Sequence, residues 1–301
     1  MTSTPTPSRG FVLPGHGPQG RTGVLLVHGL AGTPNEMRML GRSLQTAGFE
    51  VHGVQLAGHC GTVEDLVATA WHDWVRSVHS EAQELRAKVD RVVVMGLSMG
   101  AVLALEVAAE RPDLIDGVGA LSTSFWHDGW SMPAFARLAF LLRPVRALGI
   151  GRRRLFLERP PYGIRNEGLR KYIVAQMRSG ESSAAGLLGT PWYSIIEMHS
   201  LSTHVRRRLQ RIQVPCLVAH SSHDDVASLS NAELVIRHVR GPVEQLLLHN
   251  SYHMITIDSD RHLLTARLID FASRIAGQAT AQSSDAAEIG RVPAGRTPAP
   301  T

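Results

Sequence analysis

Arg91-Val92-Val93-Val94-Met95 runs straight into Gly96-Leu97-Ser98-Met99-Gly100, and then into Ala101-Val102-Leu103-Ala104-Leu105-Glu106-Val107-Ala108-Ala109. The first block is a short apolar run of the kind that forms a buried strand, and the last reads as a helix. Between them a G-x-S-x-G pentapeptide turns strand into helix, its glycines letting the two elements approach closely. A serine in that turn is presented at the top of a sheet. The pentapeptide alone would be a weak signal, since the bland reading is a glycine-rich turn with an incidental serine. Its placement makes it a strong one.

A nucleophilic serine in this setting needs an acid and a histidine further along the chain, in that order. After the apolar run Cys216-Leu217-Val218-Ala219-His220 comes Ser221-Ser222-His223-Asp224-Asp225, which puts two carboxylates just past a strand end. After Gln245-Leu246-Leu247-Leu248 comes His249-Asn250-Ser251-Tyr252-His253-Met254. Both missing partners are available.

Working outward, the chain alternates strand and helix patterns, which predicts a mostly parallel sheet covered by helices on both faces. Strands are predicted at 23–27, 50–54, 91–95, 117–121, 216–220 and 243–248. Helices are predicted to begin near Asn35, Val63, Ala101 and Ser230, with a last one from about Ser259 to Ile275. The alternation breaks between about Phe125 and Leu209, a stretch with helical patterning and no convincing strand. This stretch is predicted to be a cap inserted over the carboxyl edge of the sheet, where open α/β sheets bind ligands. The core is then 20–124 with 210–276, preceded by an N-terminal extension, 1–19. The segment 277–301 has no aromatic residue and is predicted to be a disordered tail.

The 301 residues and 44% hydrophobic content suit one large α/β domain with an insertion. Cys60 and Cys216 are the only cysteines, too few for a disulfide framework and without metal-site spacing. No stretch approaches the roughly 20 apolar residues that span a bilayer, which excludes stable membrane insertion by such a helix. The Thr-, Ser- and Pro-rich start lacks the apolar core of a signal peptide, so a cytoplasmic location is expected. Charge is uneven. From Phe125 to Arg211 there are 15 Lys and Arg against 5 Asp and Glu, a net of +10 in a chain whose total is +5. The bland reading is a solvated arginine-rich surface. The functional one is a positive rim that attracts an anionic substrate, carrier or lipid surface, with Arg152-Arg153-Arg154 and Arg206-Arg207-Arg208 as its clusters. Nucleic acid is not expected as a partner, because no binding module or aromatic platform accompanies the charge.

Taken together, these motifs resemble the α/β-hydrolase superfamily, and within it the bacterial carboxylesterases and monoacylglycerol lipases of the serine-aminopeptidase-like group. The resemblance rests on His28-Gly29-Leu30-Ala31-Gly32-Thr33-Pro34, Leu56-Ala57-Gly58-His59, the Ser98 pentapeptide, His223-Asp224-Asp225 and the stretch from Asn250 to Asp258. It covers about residues 20 to 275 apart from the cap. It implies ester hydrolysis with no metal and no organic cofactor, and it does not fix the substrate. Cys60 stands where the family often has glycine, and Ala101 where a third glycine is common.

The chemistry assigns the roles. A serine hydroxyl is a poor nucleophile until a neutral imidazole takes its proton, so Ser98 needs His253. His253 needs a carboxylate to hold its tautomer. Asp224 matches the family position of that acid, and Asp225 is its rival, otherwise a turn or cap carboxylate. Two backbone N–H groups, of Met99 and Leu30, are expected to form the oxyanion hole. His28 is expected to brace the oxyanion loop and His59 to pack in its own loop. His220, His223 and His249 lack the pairing of a zinc-protease helix, so no metal site is expected. Phe125 and Trp126, with Trp130, Phe135 and Phe140, either line an acyl pocket or form the buried face a cap needs anyway.

The leading expectation is a serine carboxylesterase acting on short- to medium-chain acyl esters, monoacylglycerols among them. A thioesterase acting on acyl-CoA or an acyl carrier is the rival that the basic cap would favour. A non-catalytic binding protein of the same fold is the rival from another class, because fold alone does not carry function. Oligomeric state is left open.

Overall fold

The computed structural model describes residues 10–133, 150–157, 159–178, 186–187 and 189–289. At its centre lies a seven-stranded sheet in the order β1-β3-β2-β4-β5-β8-β9. The strands are β1 (Phe11–Leu13), β2 (Thr22–Val27), β3 (Glu50–Val54), β4 (Arg91–Leu97), β5 (Gly117–Leu121), β8 (Cys216–Ser221) and β9 (Val243–Leu248). Every pairing is parallel except β1 on β3. All six strands predicted from the sequence form. β1 is the addition, since Phe11–Leu13 falls inside the stretch expected to be an extension outside the sheet. Three residues closed by Pro14 are too short for a period-two pattern to register.

Alternation along the strands sends side chains to two faces, and each face has its own core. Val24 and Leu26 of β2 join Val93, Met95 and Leu97 of β4 on one side, under α1 (Asn35–Thr46) and the last helix. Leu25, Val27, Val92 and Val94 point to the other, where α3 (Trp71–Arg86) and α4 (Met99–Glu110) cover them. Helix α2 (Val63–Val67) leads into α3. Because α4 is enclosed on all sides, every residue from Met99 to Ala109 is buried. That includes Glu106, whose carboxylate lies 3.1 Å from His204 Nε2 and 3.4 Å from Arg208. Burial raises this carboxyl against the opposing pull of Arg208 and of the His204 hydrogen bond.

Between the neighbouring strands β5 and β8 lies the insertion. Its described elements are β6 (Leu155–Leu157), α5 (Glu167–Arg178), β7 (Gly189–Pro191) and α6 (Trp192–Arg206). β6 and β7 pair antiparallel as a small ribbon, where the sequence predicts helix alone. Only three residues pair on each side and Gly and Pro bound β7, so the strand signal is too brief to read. Helix α7 (Ser230–His238) joins β8 to β9.

The last helix, α8, runs Arg261–Ile289, well past the end predicted near Ile275. Residues 277–289 of the predicted tail are therefore helical in backbone, and 290–301 lie outside the described residues. Leu264, Leu268, Phe271 and Ile275 dock the helix on the sheet. Beyond them the alanine-rich sequence favours helix by intrinsic propensity, which an argument from aromatic content does not weigh. Among the described residues no helix is long and apolar enough to cross a membrane.

Candidate active site

β4 ends at Leu97 and α4 begins at Met99, so Ser98 alone makes the turn, with φ 58° and ψ −116°. This backbone region costs a residue with a Cβ about 1–3 kcal/mol. Packing holds it there. A Cβ at Gly96 would overlap the carbonyl of Gly100, and one at Gly100 would overlap the carbonyl of Val27, so strand and helix pack with no side chain between them. The Ser98 N–H donates to Leu121 O at 2.9 Å, and its carbonyl accepts from Ala101 N at 3.1 Å. Helix α4 begins at Met99, two residues before the predicted Ala101, and so starts directly under the serine.

The loop after β2 comes up beside this turn: a Cβ at Gly29 would sit 3.6 Å from the Cβ of Ser98. Leu30 is the next residue. Glu36, in the first turn of α1, accepts from the N–H of Gly29 at 3.2 Å and of Thr33 at 3.3 Å. His28 holds the loop from below, its Nδ1 donating to Gly29 O at 2.9 Å and its Nε2 accepting from Leu56 N at 3.3 Å. Burial and then the neighbouring His59 push His28 down to about 3, so it stays neutral and serves as the expected brace. His59, 5.0 Å away ring to ring, is pushed down to about 4 by burial and packs in its loop as expected. The same loop places Cys60 at φ 66°, the left-handed conformation that explains a family preference for glycine there.

Past the end of β8, Asp224 folds back to accept from Val226 N at 2.9 Å and Ala227 N at 2.8 Å. Its oxygens also lie 2.8 and 3.0 Å from Nδ1 of His253, which follows β9. Burial pushes the Asp224 carboxyl up, but the charge of His253 and these hydrogen bonds outweigh it and leave the group below its ordinary range. An ionised carboxylate only accepts, so Nδ1 of His253 is the donor in this contact. Asp225 behaves differently. It accepts the main-chain N–H of His253 at 3.3 Å and of Gly163 at 3.1 Å, and burial followed by the charge of Asp224 raises its carboxyl.

A family model described as "Serine aminopeptidase, S33" matches residues 18–260. The chain belongs to this family. A thermostable monoacylglycerol lipase from Bacillus sp. (strain H-257) is 29% identical over 265 residues, covering 88% of this chain and 95% of that protein. A carboxylesterase from Bacillus subtilis (strain 168) is 26% identical over 258 residues, covering 85% and 94%. Among solved structures, a monoacylglycerol lipase from Paleococcus ferrophilus superposes with a TM-score of 0.73 at 18% identity, over 90% of this chain and 100% of that one, a likeness of fold.

Within the family's fold, several residues reach the site that the sequence reading passes over. Ser124 donates to Ser122 O at 3.0 Å, so in its 3.1 Å contact with Ser98 Oγ the Ser98 hydroxyl is the donor. His127, after the same strand, is pushed down to about 4 by burial and then by repulsion from His253. Glu36 had a legible signal: Thr33-Pro34-Asn35-Glu36 has the S/T-x-x-E spacing with which a helix's first-turn acid reaches back. For Ser124 and His127 no local pattern exists.

The expected acyl-pocket pair stays together, the rings of Phe125 and Trp126 meeting edge to face with centroids 6.3 Å apart. Phe125 is buried in the core on the α4 side, while Trp126 donates its main-chain N–H to Asn231 Oδ1 at 2.9 Å and carries the Arg206 guanidinium 4.6 Å from its ring centre. Trp126 faces an open cavity of about 610 Å³ along α7, with Glu233, Leu234 and Arg237. Phe135 and Phe140 lie outside the described residues. The arginine clusters also divide: Arg152, Arg153 and Arg154 are exposed, but Arg206 packs on Trp126 and Arg208 lies beside Glu106. Among the described residues no three His, Cys, Asp or Glu side chains are grouped to hold a metal.

Proposed function

We propose that the chain is a serine hydrolase that cleaves carboxylic esters of short to medium acyl chains, monoacylglycerols among them, through an acyl-enzyme intermediate. The observation that carries this reading is the pair His253 and Asp224, bonded at Nδ1 at 2.8 Å, at the same sheet edge as a serine held at positive φ. Ser98 attacks the ester carbonyl and forms the acyl bond, while His253 Nε2 takes its proton. The tetrahedral oxyanion is met by the N–H groups of Met99 and Leu30, which need no reorganisation because strand, helix and braced loop hold them. The imidazolium returns the proton to the leaving alcohol. Water then repeats the sequence and frees the acid. No metal or organic cofactor takes part in this scheme. Membership of the family and the lipase and esterase relatives support the same reading. A burst of chromogenic alcohol equal to the enzyme concentration tests it, and a chain that binds the ester without releasing alcohol would overturn it.

In this scheme activity falls at acid pH, because protonated His253 cannot accept the Ser98 proton. The ordinary imidazole value is about 6.5, and the Asp224 anion favours the charged ring, so Asp224→Asn is expected to move the acid limb of kcat/KM to lower pH. A limb that moves upward in that variant would contradict the pairing.

The insertion, 125–209, is the element we read as a cap on the 20–124 and 210–276 core, setting substrate choice without supplying chemistry. Its exposed Arg152, Arg153 and Arg154 keep a thioesterase reading open, with acyl-CoA as the anionic substrate. If that reading holds, neutralising the three lowers kcat/KM for acyl-CoA, weakens its salt dependence and leaves a neutral ester unaffected. Equal, salt-insensitive loss on both substrates removes it. A cytoplasmic location belongs to the same proposal, supported by a cysteine content too low for a disulfide framework.

A further inference from the structure

Residues 159–166 of the insertion cross directly over the loop that carries His253, and two buried carboxylates pin the strap and loop together. Asp258, fully buried, accepts four main-chain N–H groups: Arg165 at 2.7 Å and Asn166 at 3.0 Å from the strap, Tyr252 at 2.9 Å from the loop, and its own neighbour Ser259 at 2.9 Å. Asp225 repeats the pattern one step nearer the imidazole, joining Gly163 N to His253 N. The backbones also meet directly, Met254 N donating to Gly163 O at 2.8 Å. Gly163 has φ 71°, and a Cβ there would stand 3.1 Å from the Cβ of His253 and 2.9 Å from Met254 Cγ. Outside this seam, Arg165 donates to His249 O at 2.8 Å.

Charge-assisted bonds of this kind are the stronger class, and a carboxylate with four donors has no cheap alternative partner once buried. We propose that Asp258, with Asp225, is a positioning residue that clamps the 159–166 strap onto the histidine loop, so that the placement of His253 depends on the placement of the insertion. The clamp makes no contact with substrate. It rests on the reading of His253 as general base.

Asp258→Asn puts an amide N–H against main-chain donors and loosens the clamp from the loop side, and Gly163→Ala loosens it from the strap side without touching a carboxylate. With enzyme concentration fixed by active-site titration, each is expected to lower kcat about 10- to 100-fold with KM unchanged, the cost of displacing a reacting group by about 1 Å. Hydrogen–deuterium exchange is expected to rise in peptides 160–166 and 250–256 together. Parent-like kcat in both folded variants overturns the proposal, as does a rise in KM alone or exchange that rises in one segment and not the other. If the parent itself neither labels nor turns over, the esterase reading fails, and the paired exchange still decides the clamp. Should Asp258→Asn not fold, Gly163→Ala carries both measurements.

Discussion

Replacing Ser98 with alanine is expected to lower ester turnover on the order of 10⁶-fold and to abolish labelling by a fluorophosphonate, as loss of the nucleophile does in serine proteases whose triad acts as a unit. The reason is local. Ser98 is the one side chain at the junction of β4 and α4, seated beside the Gly29 loop, and Ser124 already hydrogen-bonds its hydroxyl. His253→Ala should fall about as far, and the double variant no further, since each removes the same proton-transfer step. Intact-mass and peptide mapping that locate the label on another serine would sink the assignment, and so would a His253→Ala enzyme with near-parent turnover.

Asp224→Asn is expected to cost up to ~10⁴-fold in turnover, by analogy with the serine protease acid, because an amide facing Nδ1 favours the wrong imidazole tautomer. Asp225→Asn should cost far less. Asp224 touches the ring, whereas Asp225 meets His253 through its main-chain N–H, and also accepts from Gly163 N and the Ser131 hydroxyl. Active-site titration, turnover and circular dichroism on both variants check the order. If both fold and Asp225→Asn is the more damaged, the roles are exchanged.

The parallel sheet was legible because its inner strands are buried on both faces, and short apolar runs bounded by turn residues leave little else to become. Ser98, Asp224 and His253 were legible for a related reason: each follows a strand end, and strand ends are where this sequence is easiest to read. What escaped is whatever depends on partners far away in the chain. Phe11–Leu13 becomes a strand only because the exposed edge of β3 accepts it. Nothing beside Trp126 in the sequence announces that its main-chain N–H will end on Asn231 or that Arg206 will lie over its ring. Asp258 reads as an ordinary acid before a helix, and nothing in its neighbourhood announces that the N–H groups of Arg165 and Asn166 will end on it. Tandem carboxylates such as Asp224 and Asp225 are separable only once one is seen to face a ring and the other a backbone.

The backbone at Ser98 sets two demands on the chain against each other. At φ 58° and ψ −116° the native state holds a conformation that glycine adopts freely and serine does not, so the fold would be easier to maintain without the hydroxyl. Every deeply buried Leu and Val of β2, β4 and α4, each contributing roughly 1.5–3 kcal/mol, helps to offset that deficit. Robustness and reactivity therefore draw on a common reserve: a destabilising change anywhere in these cores narrows the margin that keeps one residue in an unfavourable shape. Selection for a hardier protein and selection for a working one would part company at this position first.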